Sequence, residues 1–116
     1  MQQVTNERTG GQILIDQLLI NEVDSIFAVP GESYLAALDA LYGARNQIKL
    51  ITCRQEGGAT FMAEAFGKVT GKPGVCFVTR GPGACNASIA VHTAIDVCVR
   101  ARTYTCACNF FPHRCF

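Results

Sequence analysis

One carboxylate, Glu56, stands where its chemistry could matter, directly after an apolar run and before a glycine- and alanine-rich stretch. It belongs to one of three glycine-bearing segments that each follow a short apolar run, at 30–32, 54–58 and 79–83. Ligands of open α/β sheets bind beyond the carboxyl ends of the strands, and glycine lets the backbone approach a ligand closely. These segments therefore predict a small-molecule crevice that contains Glu56.

The same residues have a plainer interpretation. Glycine-rich strand-to-helix turns are common, and a solvated Glu56 at a helix N-terminus is favoured by the helix dipole alone. The pattern by itself leaves both interpretations open. The chain carries neither a G-x-G-x-x-G dinucleotide motif nor a G-x-x-x-x-G-K-[S/T] phosphate loop. His92 lies in a small-residue helical segment, which favours a partly buried or interface histidine over a catalytic one.

The elements that must position these segments alternate along the chain. Apolar spacing and turn residues predict helices near 12–20, 33–42, 58–70 and 84–94, and strands near 25–30, 49–53 and 75–79. Such alternation is typical of right-handed βαβ crossovers, so the predicted class is α/β: a three-layer α/β/α arrangement with a parallel sheet. In the third helix we expect an apolar stripe of Phe61, Met62, Ala65, Phe66 and Val69.

The composition excludes several classes of protein. The chain has 116 residues, a net charge of +1, 49% hydrophobic residues and 16% charged residues. This balance predicts one packed domain and gives no electrostatic case for nucleic acid or an anionic membrane. The apolar segment 13–20 is interrupted by Asp16 and Gln17, so it is too short and too polar to span a membrane. We expect a cytoplasmic protein.

The seven cysteines divide the chain in two. Cys53, Cys76 and Cys85 sit singly among apolar or small residues, as core cysteines do, and no metal site is predicted from them. The other four fall within residues 98–116, so we expect a domain over 1–94 and a separate tail over 95–116. That tail resembles out-of-frame translation or a truncated gene, and an alternative is zinc binding. Its candidate ligands are Cys98, Cys106, Cys108, His113 and Cys115.

The ordered motifs are also similar to those of a known family. They are Phe27-Ala-Val-Pro-Gly-Glu32, Arg54-Gln-Glu-Gly-Gly-Ala59 with Phe61-Met-Ala-Glu-Ala65, and Thr79-Arg-Gly-Pro-Gly83 with Asn86. In this order and spacing they resemble the N-terminal, pyrimidine-binding domain of thiamine-diphosphate enzymes, and among these most closely acetolactate synthase. The resemblance covers roughly residues 9–94, which would make the fold an incomplete version of that domain.

The resemblance implies a role for each matching position. Glu56 matches the catalytic glutamate that hydrogen-bonds the ring nitrogen N1′ of the aminopyrimidine. Residues lining the pyrimidine side of the site would be Pro30, Gly31, Thr79, Pro82 and Asn86, and Gly81 and Gly83 would shape the turn.

For a complete enzyme the resemblance implies decarboxylation and carboligation of 2-keto acids, as a transferase or lyase. It further implies a homodimer or tetramer whose active site lies between two subunits. Mg²⁺ would be held by a separate diphosphate domain through a Gly-Asp-Gly motif that this chain lacks, and the parent could also carry FAD. We expect the chain alone to be an inactive fragment with a bare sheet edge. The alternative is a non-catalytic interaction module that pairs with a diphosphate-domain subunit.

Overall fold

A computed structural model describes residues 7–97 of the chain. Helices and strands alternate in the predicted order: α1 (Gly10–Ile20), β1 (Ser25–Ala28), a 3₁₀ turn (Glu32–Tyr34), α2 (Leu35–Gly43), β2 (Lys49–Thr52), α3 (Glu56–Thr70), β3 (Val75–Phe77) and α4 (Arg80–Val97). The tail beyond Val97, with its proposed zinc ligands, lies outside this range, so the division into two regions stays a prediction.

The three strands form one parallel sheet in the order β2-β1-β3. Phe27 of β1 lies opposite Ile51 of β2 and Cys76 of β3. The helices after β1 and β2 return the chain to the end of the sheet at which the strands begin. All three strands therefore run in the same direction, and their carboxyl ends lie together at one end of the sheet. The predicted α/β class with a parallel sheet is confirmed.

Alternating side chains of the central strand separate two hydrophobic cores. Ile26 and Ala28 point into the core that the sheet shares with α1 and α2. Phe27 points into the other core, where Ala59 of α3 and Ala87 of α4 pack against the sheet. The fold therefore has the predicted three layers, with α1 and α2 on one face and α3 and α4 on the other.

Helix α4 begins earlier than the sequence indicated. The backbone N–H of Gly83 donates to the carbonyl of Thr79 (3.1 Å), which is already a helical bond. Pro82 is tolerated because the first turn of a helix does not use its backbone N–H groups internally. Gly81 and Gly83 thus belong to the first turn of α4 rather than to a separate loop.

Of the predicted apolar stripe of α3, only Phe66 packs against the core, where its ring meets that of Phe27 (6.0 Å between centroids), and the prediction was wrong for the other four residues. The buried residues of α3 are Gly57, Ala59, Thr60, Ala63, Glu64 and Gly67. Val69 is 86% exposed, and Phe61 and Met62 are also exposed. Small residues face the sheet and α4 because they let the backbones approach closely.

Within residues 7–97, no helix is both long enough and apolar enough to cross a bilayer. The predicted cytoplasmic location stays a prediction.

The two thiols Cys76 and Cys85 should report on the second core. Cys76 is fully buried and burial raises the pKa of its thiol, so little thiolate forms at neutral pH. Cys85 is exposed on α4, so the expectation that it is a core cysteine was wrong. With iodoacetamide at pH 7.5, followed residue by residue by mass spectrometry, we expect Cys85 to react at least about tenfold faster than Cys76. In denaturant the two rates should converge; equal rates in native buffer would contradict this packing.

Candidate functional site

Glu56 is the first residue of α3, and its backbone is held on both sides. The preceding residue, Gln55, caps the helix, because its side-chain Oε1 accepts a hydrogen bond from the Gly58 N–H (2.8 Å). The hydroxyl of Thr60 donates to the carbonyl oxygen of Glu56 (2.7 Å). These contacts fix the direction in which the Glu56 side chain leaves the helix.

The carboxyl group of Glu56 points across the strand ends toward α4. The side-chain amide of Asn86 donates from Nδ2 to Oε2 of Glu56 over 3.0 Å. The other oxygen, Oε1, lies 3.6 Å from where a Cβ on Gly83 would stand. Glu56 is half-buried, and its position in the first turn of α3 favours a negative charge. The arrangement holds one carboxyl oxygen by a hydrogen bond and places the other beside Gly83, which has no side chain.

The two helices can share this contact because their backbones approach closely. A Cβ built on the buried Gly57 would lie only 3.1 Å from the carbonyl oxygen of Asn86. A side chain at position 57 would therefore push α4 away from the start of α3. Gly57 brings Asn86 within hydrogen-bonding distance of its neighbour Glu56.

A second contact joins the ends of β1 and β3. A Cβ on Gly31 would stand 2.4 Å from Cβ of Thr79, so the two residues are in direct contact. The hydroxyl groups of Ser33 and Thr79 share a hydrogen bond of 2.8 Å. Thr79 is in turn tied to Gly83 by the first backbone bond of α4. The Gly31–Thr79 contact and the Glu56–Asn86 contact are thus connected through the first turns of α4.

Two non-glycine residues in the described range have a positive φ, and one of them lies at this edge; the other, Glu22 (φ 60°), lies between α1 and β1. Arg80, which follows Thr79, has a φ of 48°, in the left-handed region that side chains other than glycine rarely adopt. Such a conformation costs roughly 1–3 kcal/mol and persists only where the surroundings impose it. Strain of this kind is concentrated at functional sites.

The remaining predicted site residues are placed less centrally. Gly81 is half-buried and Pro82 is exposed, both in the first turn of α4. Pro30 is exposed and lines a groove of about 440 Å³ between α2 and β2, on the face of the sheet opposite α3. Of the predicted residues, the structure therefore brings together Gly31 with Thr79, and Glu56 with Gly83 and Asn86.

Comparison with known proteins decides the family of the chain. Residues 8–99 match the family model described as thiamine pyrophosphate enzyme, N-terminal TPP binding domain. The chain belongs to this family.

Individual relatives agree with the family match. Acetolactate synthase large subunit of Pyropia yezoensis is 40% identical over 95 residues, which is 80% of this chain and 16% of that protein. Acetolactate synthase of Bacillus subtilis is 42% identical over 85 residues, covering 73% of this chain and 15% of the relative. A probable 2-ketoarginine decarboxylase of Pseudomonas aeruginosa is 42% identical over 86 residues, covering 74% and 15%. The chain thus spans 15 to 16% of the length of these relatives.

As a member of this thiamine pyrophosphate family, the chain shows two site residues that sequence reasoning missed. Ser33 was assigned only to the start of a helix, and Gln55 only to a loop. The sequence held a signal for each: Ser33 places a hydroxyl two residues after Gly31, and Gln55 places a hydrogen-bonding side chain directly before the first helical residue. Both act on neighbours of the predicted site: Ser33 on Thr79, and Gln55 on the helix start that carries Glu56.

Over the part of the chain that the structure describes, no group of three or more His, Cys, Asp or Glu could hold a metal ion. The side chains that hydrogen-bond one another at the strand ends form two pairs, Glu56 with Asn86 and Ser33 with Thr79, which together supply one carboxyl, one amide and two hydroxyls. Such a set suits hydrogen bonding to an uncharged or weakly basic organic ring.

Gly31→Ala should destabilise the fold through one contact. The backbone of Gly31 is extended (φ −154°), so alanine can adopt it, but its methyl would overlap Thr79. We expect a loss of about 1–3 kcal/mol in the free energy of unfolding, measured by chemical denaturation. Gly43→Ala is the matched control because nothing lies within 4 Å of a Cβ there. Equal stability of the two variants would show that β1 and β3 do not meet at Thr79.

Proposed function

We propose that this chain binds the aminopyrimidine side of thiamine diphosphate, as the N-terminal part of an acetolactate synthase-like decarboxylase or carboligase of 2-keto acids. One observation carries the proposal: the half-buried carboxyl of Glu56 is held by Asn86 at the carboxyl edge of the sheet, with Oε1 beside Gly83. The family match supports the cofactor, and the names of the relatives support the class of reaction.

The residues present fit an aminopyrimidine. A ring nitrogen of this kind needs a partner that can both donate and accept a proton, and a carboxyl group is such a partner, whereas an amide is not. Gly83 adjoins the carboxyl and has no side chain that could cover Oε1, and the fully buried, apolar Val78 packs next to Gly83. Thiamine diphosphate, when bound, supplies the carbon nucleophile of the reaction. Glu56 would hold the shared proton at N1′.

The remaining functions of a complete enzyme belong elsewhere in this proposal. A charged diphosphate needs a cation or several donors. The groups that hydrogen-bond Glu56 are the neutral side chains of Asn86 and Thr60, and the two cations at the strand ends, Arg54 and Arg80, are exposed. We assign the diphosphate with its Mg²⁺ to a separate domain, FAD to the parent enzyme where it is used, and the second half of the site to another subunit of a homodimer or tetramer.

A second function, pairing with a diphosphate-domain partner without catalysis, is favoured by the outer faces of α3 and α4. Val69 is 86% exposed, Ile95 72% and Ile89 61%, and Phe61 and Met62 lie on the same layer. Exposed apolar residues grouped on neighbouring helices are typical of protein–protein contacts. This surface is compatible with either function, because the enzyme also requires a partner domain.

Binding can be tested on the chain itself with thiamine diphosphate as the probe. We expect saturation-transfer NMR at millimolar cofactor to show contact with the pyrimidine methyl and ring protons and weaker contact with the thiazolium. Glu56→Gln should reduce the pyrimidine signal at least about threefold because the amide cannot exchange a proton with N1′. Asp39→Asn, at an exposed carboxylate on α2, is the matched control and should change nothing.

Two results would contradict this expectation. Equal saturation of the thiazolium and pyrimidine protons would show that the chain does not select the pyrimidine side. Micromolar affinity by calorimetry would show that the chain needs no second domain to hold the cofactor.

Catalysis requires the complete enzyme. Residues 8–97 can replace the matching segment of Bacillus subtilis acetolactate synthase, and acetolactate formation can be measured. In this chimera we expect Glu56→Gln to lower turnover by about 10²- to 10⁴-fold, the usual effect of losing an acid–base group. Unchanged turnover in that variant would refute the role of Glu56. A chimera that assembles but never turns over, with or without Glu56, would instead favour the interaction module.

A further inference from the structure

We propose that Asn86 is a positioning residue: it holds Oε2 of Glu56, so that Oε1 is the oxygen that exchanges a proton with the ligand. This inference rests on the proposed function for the identity of the ligand, but not for the contact itself. The resemblance places Asn86 among residues lining the pyrimidine, whereas its amide in this structure is directed at Glu56.

The first support is the way in which α4 presents its side chains. Gly83 and Asn86 are three residues apart, so they lie on the same face of the helix. Both adjoin the Glu56 carboxyl: Asn86 donates a hydrogen bond to Oε2 (3.0 Å), and a Cβ on Gly83 would stand 3.6 Å from Oε1. One helix face therefore binds one oxygen and, at Gly83, places no side chain against the other.

The second support is the close approach at Gly57. The carbonyl oxygen of Asn86 lies against Gly57, where a Cβ would be only 3.1 Å away. The backbone of Asn86 is thus held next to the residue that follows Glu56. The backbone that carries the Asn86 amide is therefore fixed beside Glu56, and the exposed side chain itself is held by its hydrogen bond to Oε2.

The hydrogen bond from Asn86 makes the two carboxyl oxygens of Glu56 chemically different. Nδ2 of asparagine is only a donor, so the oxygen it contacts must accept. A neutral Glu56 would therefore carry its proton on Oε1, and an ionised one would offer Oε1 as the acceptor. Either way, the oxygen beside Gly83 is the one that can face N1′.

The contact can be measured without any ligand. In the full chain, labelled with ¹³C and ¹⁵N, we expect a scalar coupling across the hydrogen bond between Nδ2 of Asn86 and Cδ of Glu56. The side-chain amide of Asn46, in the exposed segment between α2 and β2, is the reference and should show no such coupling. Absence of the coupling at Asn86 would overturn the inference, whatever the chain binds.

Titration with thiamine then tests the assignment of the two oxygens. We expect the coupling to persist at saturation, because the ligand occupies Oε1. Loss of the coupling on binding would mean that the ligand displaces Asn86, which would make Asn86 a direct contact and overturn the inference.

Two variants separate the roles of Asn86 and Gly83. Asn86→Leu, which keeps the approximate shape but removes the donor, should weaken thiamine binding about threefold to tenfold. Gly83→Ala should also weaken it, since its methyl would lie 3.6 Å from Oε1 and 3.3 Å from Cβ of Val78, yet it should preserve the coupling. Ser88→Ala, on an exposed part of α4, should alter neither measurement.

The outcomes distinguish this inference from the proposed function. Unchanged affinity in Asn86→Leu, or a coupling lost in Gly83→Ala with affinity intact, would overturn the positioning role. A coupling present in a chain that binds no thiamine at any concentration would refute the proposed function and with it the assignment of Oε1 to a ligand. The Asn86–Glu56 contact would remain established as a structural one.

Discussion

The candidate site depends on one hydrogen bond between two helices that leave different strands. Asn86 belongs to α4, which follows β3, and Glu56 begins α3, which follows β2. These strands are not neighbours, because β1 lies between them. The bond therefore forms only when the sheet has the order β2-β1-β3 and when both helices pack on the same face. The position of the Glu56 carboxyl group therefore depends on the strand order and on the handedness of the crossovers.

Small residues make that constraint possible. The second core is built from Ala59, Ala63 and Ala87 against the sheet, and Gly57 meets the backbone of Asn86. Larger residues at these positions would enlarge the separation between α3 and α4 and remove the amide from the carboxyl. Three larger apolar side chains of α3, Phe61, Met62 and Val69, are accordingly exposed, where they leave this spacing unchanged. The same packing that orients Glu56 thus produces the exposed apolar surface.

Sequence reasoning predicted the layers and the edge of the sheet because these follow from simple periodicities. Alternating short apolar runs and helices require parallel strands, and parallel strands bring their following segments to one edge. Periodicity could not show which side of α3 is buried. Its apolar residues form a plausible stripe, whereas the face that packs includes the polar residues Thr60 and Glu64. Glu64 is accommodated there by an ion pair with Lys68 one turn later.

The contacts within the site were less predictable for a related reason. Their geometry depends on where α4 starts, and a glycine–proline–glycine segment suggested a loop up to Gly83. Starting the helix at Arg80 makes Gly83 helical, so Gly83 and Asn86 lie three residues apart on the face that meets Glu56. At this start Arg80 has a positive φ, which the residue type would not suggest, because residues with a side chain rarely adopt it. The position of the helix start therefore decides which side chains meet.

The groups that orient Glu56 all come from a short part of the chain. Gln55 caps its helix, Thr60 binds its carbonyl oxygen, and Asn86 binds its carboxyl group. Each of these bonds is made between residues 55 and 86, inside the segment that matches the family. In a chain that matches 15 to 16% of the length of these two relatives, Glu56 is therefore held in a defined geometry by residues of the matched segment. Preorganisation of this kind lowers the cost of binding in general, because a carboxyl that is already oriented need not be ordered when a ligand arrives.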